Sequence, residues 1–516
     1  MRASFAIHCV VMVCGMLPAF AQQETGSTPP ESKNPQPIVV GGEKQLFIDD
    51  RFIASSQNVE LRMNQPVKLG EVLRPDRPWE DKDIGFCASV MEHDGMFKLF
   101  YRADSHARGA SVCLATSHDG LHWERPVIGL YEYGGSKENN IVFRDTDNNA
   151  AYRGVGETVV FFDPNGKAEE RFKMIASKGW PDPHTAGLYC HTSPDGVHWT
   201  AGPRVLDICP DTANQAAWDR QRGKYVAYIR IWDPLRKVGR VETSDILKPW
   251  PYQSLGTDAY FIWGQESVAV PSREFPVAFG YDAEDPVPSD HYNLAAVEYP
   301  YAQHVYFAFP SAYMHFPEPP LGKYGNDGVL DIQMAVSRDG VTYDRVERAP
   351  YIPLGLAGEP DALSNYMAVG MLRKGDYLYQ YYGAYAVTHG LPQAQQTMPA
   401  GCFCAVRQRL DGFVSADAAW GGGELVTPPI IFNGNRLVLN VDASAMGACR
   451  VGLLDAAGND IPGLSVEACD ILYGNAVNKL VTWNGTGDLA AWSGQPVRLR
   501  FMMRATKLYA FQFTSD

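Results

Sequence analysis

The chain repeats one short phrase, and this repeat constrains its fold more than any other feature. The phrase is Ser-x-Asp-Gly-x-x-aromatic, and it occurs at Ser117–Trp123, Ser193–Trp199 and Ser337–Tyr343. Weaker versions begin at Thr243 and Arg409. An Asp-Gly pair suits a tight turn because glycine adopts a positive φ and aspartate caps its own backbone. A turn phrase that recurs along a long chain predicts a repeat architecture.

A second repeated feature, a run of aromatic and β-branched residues, lies upstream of the turn phrases. The five runs are Met96–Tyr101, Arg171–Ala176, Lys224–Ile229, His304–Phe309 and Asp376–Tyr381. Such runs are typical of β-strands. Five strand-and-turn units in order predict an all-β fold in which a five-bladed β-propeller occupies residues 41–420. The uneven spacing of the units predicts long loops on one face of that propeller.

A different pattern follows the glycine linker at residues 421–423. Residues 424–516 contain short strands without the turn phrase, such as Arg436–Val441 and Val497–Met502. Several of these strands alternate apolar and polar residues, as half-buried strands do. They predict a separate C-terminal β-sandwich over residues 424–516. Cys449 and Cys469 both lie in this domain, and the sequence leaves open whether they form a disulfide.

The charge and residue spacing exclude several classes of partner. The formal net charge is −14, whereas nucleic-acid binding needs clustered Lys and Arg, so no nucleic-acid partner is expected. No spacing typical of a transition-metal site is present, so no cofactor is predicted. A structural calcium ion stays open because the predicted loops are acidic. The oligomeric state is also open.

The N-terminus has the three parts of a secretory signal sequence. Arg2 supplies the basic part, Phe5–Leu17 is apolar, and Ala19–Ala21 matches a small-residue cleavage site. The mature protein is therefore expected to begin at Gln22 and to be secreted or periplasmic. The apolar run is too short to span a bilayer, so no transmembrane segment is expected. Residues 22–40 are rich in Pro, Ser, Thr and Gln and predict a disordered linker.

Taken together, these features resemble the clan of glycoside hydrolase families 32 and 43. The resemblance is carried by these segments: Leu46–Asp50, Tyr101–Arg102, Ala115–Pro126, Gly135–Ser136, Asn139–Ile141 and Leu508–Phe513. Within the clan the chain is most similar to exported family 32-like proteins of planctomycete-type bacteria. The resemblance implies a five-bladed propeller that cleaves glycosidic bonds of a poly- or oligosaccharide. The chain departs from family 32 in three motifs, since W-x-N-D-P-N-G, R-D-P and E-C are absent as such.

The candidate site residues lie just before the first strand of each predicted blade, where a propeller's loops converge on one funnel. Glycoside hydrolysis needs two carboxyl groups that flank the bond, and a third can tune the pKa of the acid. The expected roles are nucleophile or base for Asp83, pKa tuner and sugar ligand for Asp211, and acid for Glu359. The expected substrate-binding residues are Arg153, Glu157, Asn214, His291, Tyr292, Asn293 and, as an alternate, Asp50.

Two other functions remain open on the sequence. A non-catalytic carbohydrate-binding propeller is favoured by the missing family motifs. A sialidase-like enzyme is suggested by the turn phrase, because the sialidase Asp box has a similar form. Three arginines around a tyrosine in the funnel would support the sialidase-like alternative.

Overall fold

The computed structural model of the chain has an all-β architecture. It describes residues 36–144, 157–178, 185–208, 210–253, 259–263, 266–318, 323–390 and 401–515. No α-helix occurs among these residues, and their 3-10 helices are Asp50–Phe52, Pro78–Glu80, Ala168–Glu170 and Ala490–Trp492. No helix in the described ranges is long and apolar enough to cross a membrane. The predicted signal sequence, and the linker up to residue 35, lie outside the described residues.

The chain forms two compact units that are discontinuous in sequence. The first unit contains the described residues of 66–298 and 306–408. The second contains those of 36–65, 299–305 and 409–515. The second unit therefore includes the segment from residue 41 to residue 65, which the sequence analysis had assigned to the propeller.

Three sheets of the first unit have four strands each. The first sheet consists of Asp83–His93, Met96–Ser105, Gly109–Ser117 and Ile141–Phe143. The second consists of Thr158–Phe162, Phe172–Lys178, Gly187–Ser193 and Arg204–Leu206. The third consists of Gln215–Asp219, Lys224–Trp232, Arg236–Thr243 and Val277–Phe279. A separate hairpin pairs Ala259–Trp263 with Glu266–Val270.

The remaining nine strands of the first unit form one sheet that divides at a single parallel pair, Leu330 with Ser364. On one side, the fourth group contains Ser289–Glu298, Tyr306–Glu318, Lys323–Ile332 and Ala335–Ser337. On the other side, the fifth group contains Ser364–Met367, Leu372–Lys374, Tyr377–Tyr385, Cys402–Arg409 and Val67–Leu73. All five predicted aromatic runs overlap strands, and four of the strands contain nearly the whole run. The prediction of strands at these positions is confirmed.

Successive sheets and groups of the first unit contact one another in a closed sequence. The joining pairs are Val160 N to Ser89 Oγ (3.0 Å), Tyr225 Oη to Asp163 Oδ2 (2.8 Å), Gln215 Nε2 to Ala296 O (2.6 Å), Leu330 with Ser364, and Val369 N to Ala88 O (2.9 Å). The last pair joins the fifth group back to the first sheet. Each sheet or group has one strand that we call its first strand, and these are Asp83–His93, Thr158–Phe162, Gln215–Asp219, Ser289–Glu298 and Ser364–Met367.

The repeated Ser-x-Asp-Gly phrase forms turns that contact a neighbouring sheet. In the first turn, Ser117 Oγ accepts the Gly120 N–H (2.9 Å) and Asp119 Oδ1 accepts the Leu121 N–H (2.8 Å). Tyr381, in the fifth group, donates its hydroxyl hydrogen bond to Gly120 O (2.7 Å). The aromatic residue at the end of the phrase does not begin a strand, and Trp123 leads into a single bridge between Thr116 and Glu124.

The second unit has an eleven-stranded sheet around an aromatic core. Its strands are Ile38–Gly41, Gln45–Leu46, Ser55–Gln57, Val59–Met63, Val414–Ala418, Gly423–Val426, Ile430–Phe432, Arg436–Asp455, Leu472–Leu480, Pro496–Arg504 and Thr506–Thr514. Strand Pro496–Arg504 buries Val497, Leu499, Phe501 and Met503 and turns the intervening side chains outward. Phe432 stacks on Phe513 with ring centroids 3.8 Å apart. Because Val59–Met63 pairs with Val414–Ala418, the N-terminal strands belong to this sheet.

The described cysteines are all buried and free. Cys449 and Cys469 therefore do not form a disulfide in this structure, and Cys469 Sγ accepts the backbone N–H of Val451 (3.2 Å). Cys402 and Cys404 point to one side of their strand, with sulfur atoms 4.0 Å apart. Among the described residues, no three His, Cys, Asp or Glu side chains are grouped closely enough to hold a metal ion.

Candidate active site

Polar and aromatic side chains from all five sheets and groups of the first unit meet near the starts of the first strands. We call them the central cluster: Asp83, Arg102, Asp104, Glu157, Asp211, Arg230, Arg236, Asp290, Tyr292, Tyr366, Tyr385 and His389. Asp83 begins its strand and Glu157 directly precedes the next first strand. Part of the cluster therefore lies where the chain enters the first strands.

A bulge in strand Asp83–His93 directs an aromatic ring into the cluster. The pairing register with the next strand shifts between Ile84 and Ala88. Gly85 has φ +106°, and a Cβ there would lie 3.1 Å from a backbone oxygen, so only glycine fits this position without strain. The bulge places the Phe86 ring 5.8 Å from Tyr292 and 5.1 Å from Tyr366, which lie in other groups. Bulges of this kind commonly re-aim side chains beside functional sites.

A second bulge, in strand Ser289–Glu298, positions Tyr292 beside two arginines. The register with the neighbouring strand shifts between His291 and Leu294. The guanidinium carbon of Arg230 lies 4.1 Å from the Tyr292 ring centroid, and that of Arg236 lies 5.4 Å from it. Burial raises the pKa of Tyr292 well above its ordinary value. Tyr292 is therefore a neutral, packed ring rather than a phenolate.

Asp83 is a half-buried carboxyl group that favours its protonated form. Burial raises the pKa of Asp83 well above its ordinary value, and the like charge of Asp104 adds to the increase. The Tyr385 hydroxyl donates a hydrogen bond to Asp83 Oδ2 (3.2 Å). Asp83 Oδ1 is shielded from solvent and has no hydrogen-bond partner in the protein. A protonated carboxyl group with one unused oxygen is suited to donate a proton.

Arg102 links two carboxylates next to Asp83. Its guanidinium lies 2.9 Å from Asp104 Oδ2 and 3.4 Å from Glu157 Oε1. The other carboxylate oxygen of Glu157 accepts the hydroxyl of Ser177 (2.8 Å). The positive charge of Arg102 also lowers the pKa of Asp83 and opposes the effect of Asp104. Asp104 and Arg102 thus act on Asp83 with opposite signs.

Asp211 is a carboxylate held at one oxygen by a buried arginine. Arg230 Nη1 donates to Asp211 Oδ2 (2.6 Å), and the Arg230 side chain is 1% exposed whereas that of Asp211 is 28% exposed. Arg230 also donates from Nη2 to the carbonyl of Tyr292. Asn214 Oδ1 accepts the backbone N–H of Arg230 (3.0 Å) and so fixes the strand that carries the arginine. The partly exposed Asp211 is thereby held in one orientation.

Arg236 and Asp290 form a second buried ion pair in the cluster, with Nη1 and Oδ2 3.1 Å apart. His315 Nε2 lies 3.2 Å from the same Asp290 oxygen. Burial alone would raise the pKa of Asp290, but the charges of Arg236 and His315 outweigh it and lower the pKa to about 2. Arg236 Nη2 also donates to Asn326 Oδ1 (2.6 Å). This pair stays ionised and orders the wall beside Tyr292.

Several residues expected at the site lie elsewhere. Glu359 is exposed, and its carboxylate accepts the backbone N–H of Leu356 (2.7 Å) in a turn. His291 packs on the Phe279 ring, with centroids 4.7 Å apart, between the third sheet and the fourth group. Asp50 starts a 3-10 helix of the second unit. Arg153 lies outside the described residues.

Six expected residues do lie in or next to the cluster. Asp83, Glu157 and Tyr292 belong to it directly, and Asn214 supports Arg230. Asn293 lies in the second bulge and is buried, with Oδ1 lacking a partner in the protein. Asp211, expected as a pKa tuner, is held by an arginine in the same cluster.

Arg102, Arg230, Arg236, Asp104, Tyr385 and His389 are not among the site residues predicted from the sequence. A signal for the arginines was present, because Arg102 and Arg230 interrupt runs of apolar and aromatic residues. A charged side chain within a buried strand requires a buried partner, and such pairs concentrate at functional sites. Asp104 was harder to predict from the sequence, because its effect on the pKa of Asp83 depends on which residue lies opposite it in the sheet.

Comparison with known proteins finds similar solved structures but no matching family. No known family and no curated protein matches the chain. Similar solved structures include a glycosyl hydrolase from Bacteroides ovatus, at 14% identity, with 71% of this chain and 97% of that chain covered and a TM-score of 0.41. Another is the catalytic domain of the Coprinopsis cinerea GH62 alpha-L-arabinofuranosidase, at 10% identity, 67% and 97% coverage and a TM-score of 0.41. A third is an N-acetylgalactosamine deacetylase from F. plautii, at 12% identity, 68% and 96% coverage and a TM-score of 0.41.

These three proteins differ in the activities their names state. Two are named for glycosidic bond cleavage and one for deacetylation. The chemistry of this chain therefore has to be derived from its own side chains.

Proposed function

We propose that the first unit is a five-bladed β-propeller whose central cluster cleaves glycosidic bonds of a poly- or oligosaccharide. The five sheets and groups would be the blades, and the first strands would line the central funnel. The second unit would be a β-sandwich. Export of the chain, as its N-terminus predicts, would bring the enzyme to an extracellular or periplasmic glycan.

The observation that carries this proposal is a carboxyl group with a raised pKa in the same cluster as carboxyl groups that pair with arginines. Glycosidases with two carboxyl groups need this difference, because one group protonates the leaving oxygen and the other attacks the sugar or activates water. Burial and Asp104 keep the proton on Asp83. Arg230 holds Asp211 as its counter-ion.

In this mechanism Asp83 acts as the acid. Its Oδ2 accepts the hydrogen bond of Tyr385, which leaves Oδ1 to carry the proton. The sequence analysis had expected a nucleophile or base at this position. The raised pKa favours the acid role instead, because a nucleophile must be deprotonated at the working pH.

Asp211 takes the second role, as nucleophile or as general base. Arg230 occupies one carboxylate oxygen, and the partly exposed side chain presents the other. Glu157, fixed by Arg102 and Ser177, accepts a sugar hydroxyl. Phe86 is partly exposed and supplies an aromatic surface beside Tyr292 and Tyr366.

A sialidase-like reaction is the second candidate, and one specific arrangement favours it. Arg230 and Arg236 flank Tyr292, and Arg102 belongs to the same cluster. A sialidase uses a tyrosine nucleophile. Two features oppose this reaction here. Arg230 and Arg236 are already paired with Asp211 and Asp290, and burial raises the pKa of Tyr292.

Product release from a glycan panel tests the proposal. The panel holds 4-nitrophenyl glycosides of galactose, arabinofuranose, xylose, mannose and sialic acid, together with plant and algal polysaccharides. We expect release of a neutral sugar by the purified protein, and a fall of roughly 10²–10⁴-fold for Asp211→Asn. Asp376→Asn, at an exposed turn, is the matched control and should behave as wild type.

Three other outcomes of the glycan panel would each count against the proposal. Release of sialic acid alone would favour the sialidase-like reaction. Glycan binding without release would make the first unit a non-catalytic binding propeller. Absence of both release and binding across the panel would contradict any glycan function at this cluster.

A further inference from the structure

His389 lies in the central cluster although it comes from outside the first strands. It follows strand Tyr377–Tyr385, and its backbone N–H donates to Gly328 O (3.1 Å). Its imidazole packs on two tyrosine rings, with centroids 4.5 Å from Tyr292 and 5.1 Å from Tyr313. The ring is therefore fixed on the aromatic side of the cluster.

A short hydrogen bond joins His389 to Tyr366. The Tyr366 oxygen lies 2.6 Å from His389 Nδ1. Hydrogen bonds donated by hydroxyl groups are shorter than those donated by N–H groups, which centre near 2.9–3.0 Å. The short distance therefore indicates that the Tyr366 hydroxyl donates to Nδ1. When Nδ1 accepts, the proton of a neutral imidazole resides on Nε2.

The surroundings keep this imidazole neutral. Burial lowers the pKa of His389 to about 3, and the charges of Arg236 and Arg230 contribute. Asp290 acts in the opposite direction and His315 in the same direction as the arginines. Tyr292, Tyr313 and Tyr366 complete the titratable groups that face the ring, and burial raises the pKa of each above its ordinary value.

The Nε2–H group of His389 is a hydrogen-bond donor that is available to a ligand in the cluster. Among the hydrogen bonds of the described residues, Nε2 has no partner, and the residue is only half-buried. A donor fixed by aromatic packing and by its second nitrogen is well suited to orient a ligand oxygen.

We propose that His389 Nε2–H donates a hydrogen bond to a hydroxyl oxygen of the bound glycan, and that Tyr366 is the positioning residue that fixes this tautomer. The inference rests on the proposed function and deepens it by naming a substrate-binding donor. Because the imidazole stays neutral, this contact is expected to contribute equally between pH 5 and pH 8.

The KM and kcat of His389→Phe, which keeps an aromatic ring but has no hydrogen-bond donor, test the contact on whichever 4-nitrophenyl glycoside the wild-type protein cleaves fastest. Loss of one neutral hydrogen bond predicts a rise in KM of about 3–10-fold, with kcat within about twofold. The increase should be the same at pH 5 and pH 8. Tyr366→Phe should raise KM by a smaller factor, and Tyr377→Phe, at an exposed position, should leave it unchanged.

Nitrogen NMR of histidine-labelled wild-type protein gives a readout that does not depend on a variant folding. A single Nε2–H tautomer at His389 in the wild-type protein, whose resonance shifts on addition of the released sugar, supports the proposal. An Nδ1–H tautomer, or an unchanged KM in a folded His389→Phe protein, overturns it while leaving glycan cleavage intact. Absence of cleavage by wild-type protein contradicts the proposed function instead.

Discussion

Asp83 and Asp104 lie directly opposite each other in an antiparallel pair of strands. Like charges at opposed positions destabilise a sheet, so this arrangement is locally unfavourable. The folded chain resolves the conflict by keeping Asp83 protonated and by pairing Asp104 with Arg102 at 2.9 Å. Local conflicts of this kind are expected at functional sites.

The first prediction concerns the stability of Asp83→Asn. Since the folded-state pKa of Asp83 is raised, its stabilising contribution is present below the unfolded pKa of about 4 and is lost as the pH rises toward the folded value. Asparagine does not ionise. We therefore expect Asp83→Asn to have a higher Tm than wild type at pH 8, with the difference shrinking toward pH 4. Each kcal/mol corresponds to less than about 2–4 °C, because that range applies to smaller chains.

Asp376→Asn, which alters an exposed carboxylate, is the control and should change Tm equally at both pH values. A Tm for Asp83→Asn below that of wild type at pH 8 would mean that the Asp83 carboxylate is charged and stabilising.

The second prediction is a pair of opposite shifts in the pH–rate profile. An acid works only while protonated, so the rate falls as the pH rises through the pKa of Asp83. Asp104 raises this pKa and Arg102 lowers it. Asp104→Asn should move the alkaline limb of kcat/KM to lower pH, and Arg102→Gln should move it to higher pH. Movement of both variants in the same direction would rule out Asp83 as the titrating acid.

The third prediction concerns the turn that joins the fifth group to the first sheet. A Cβ at Gly120 would lie 2.7 Å from the Tyr381 hydroxyl oxygen, whereas a Cβ at Gly129 would meet nothing within 4 Å. The two glycines have nearly equal φ, +78° and +77°, so the backbone strain of alanine is matched at about 1–2 kcal/mol. Overpacking against Tyr381 should make Gly120→Ala less stable than Gly129→Ala by about 1–3 kcal/mol.

Thermal unfolding of Gly120→Ala, Gly129→Ala, Tyr381→Phe and the Gly120→Ala/Tyr381→Phe double variant measures this difference. Removal of the hydroxyl relieves the clash, so the two changes should be non-additive. Equal losses for the two glycine variants would show that the contact with Tyr381 does not matter for stability.

The fourth prediction is a loss of stability in mild acid that depends on His291. Burial and the charge of Arg345 lower the pKa of His291 to about 4. In the unfolded chain the imidazole has a pKa of about 6.5 and binds a proton more readily than in the folded protein. The free energy of unfolding therefore falls as the pH drops from 6.5 to 4. The effect is on the order of 1–3 kcal/mol at pH 4.

His291→Gln should lower the pH dependence of Tm between pH 6.5 and pH 4.5, and the exposed His106→Gln should not. An unchanged slope in His291→Gln would place the acid sensitivity at another group.

The strands and turns of the first unit could be predicted because their signals are local. Turn chemistry at Asp119–Gly120 and the aromatic content of Tyr377–Tyr385 depend on neighbouring residues alone. The membership of strand Val59–Met63 was not predictable, because it is set by pairing with residues more than 350 positions away. Continuity in sequence is a poor guide to domain limits when a sheet is completed by the other end of the chain.

The candidate site was partly predictable for a related reason. Position before a first strand selected Asp83 and Glu157, which lie in the central cluster, but the same rule selected Glu359, which is exposed and accepts the backbone N–H of Leu356. The influence of Asp104 on Asp83 depends on strand register, which the bulge at Gly85–Cys87 alters. Register and bulges arise from tertiary packing, so charge pairing across strands appears only in the folded structure.

The measurement that tests the central claim most directly is kcat/KM for wild type, Asp83→Asn and Glu359→Gln on one cleaved oligosaccharide, whose sugar leaving group requires a proton, from pH 4 to pH 9. The account predicts that Asp83→Asn loses roughly 10²–10⁴-fold and its alkaline limb, whereas Glu359→Gln keeps the wild-type profile. Retained activity in Asp83→Asn, with loss in Glu359→Gln, would contradict it and assign the acid to the exposed turn.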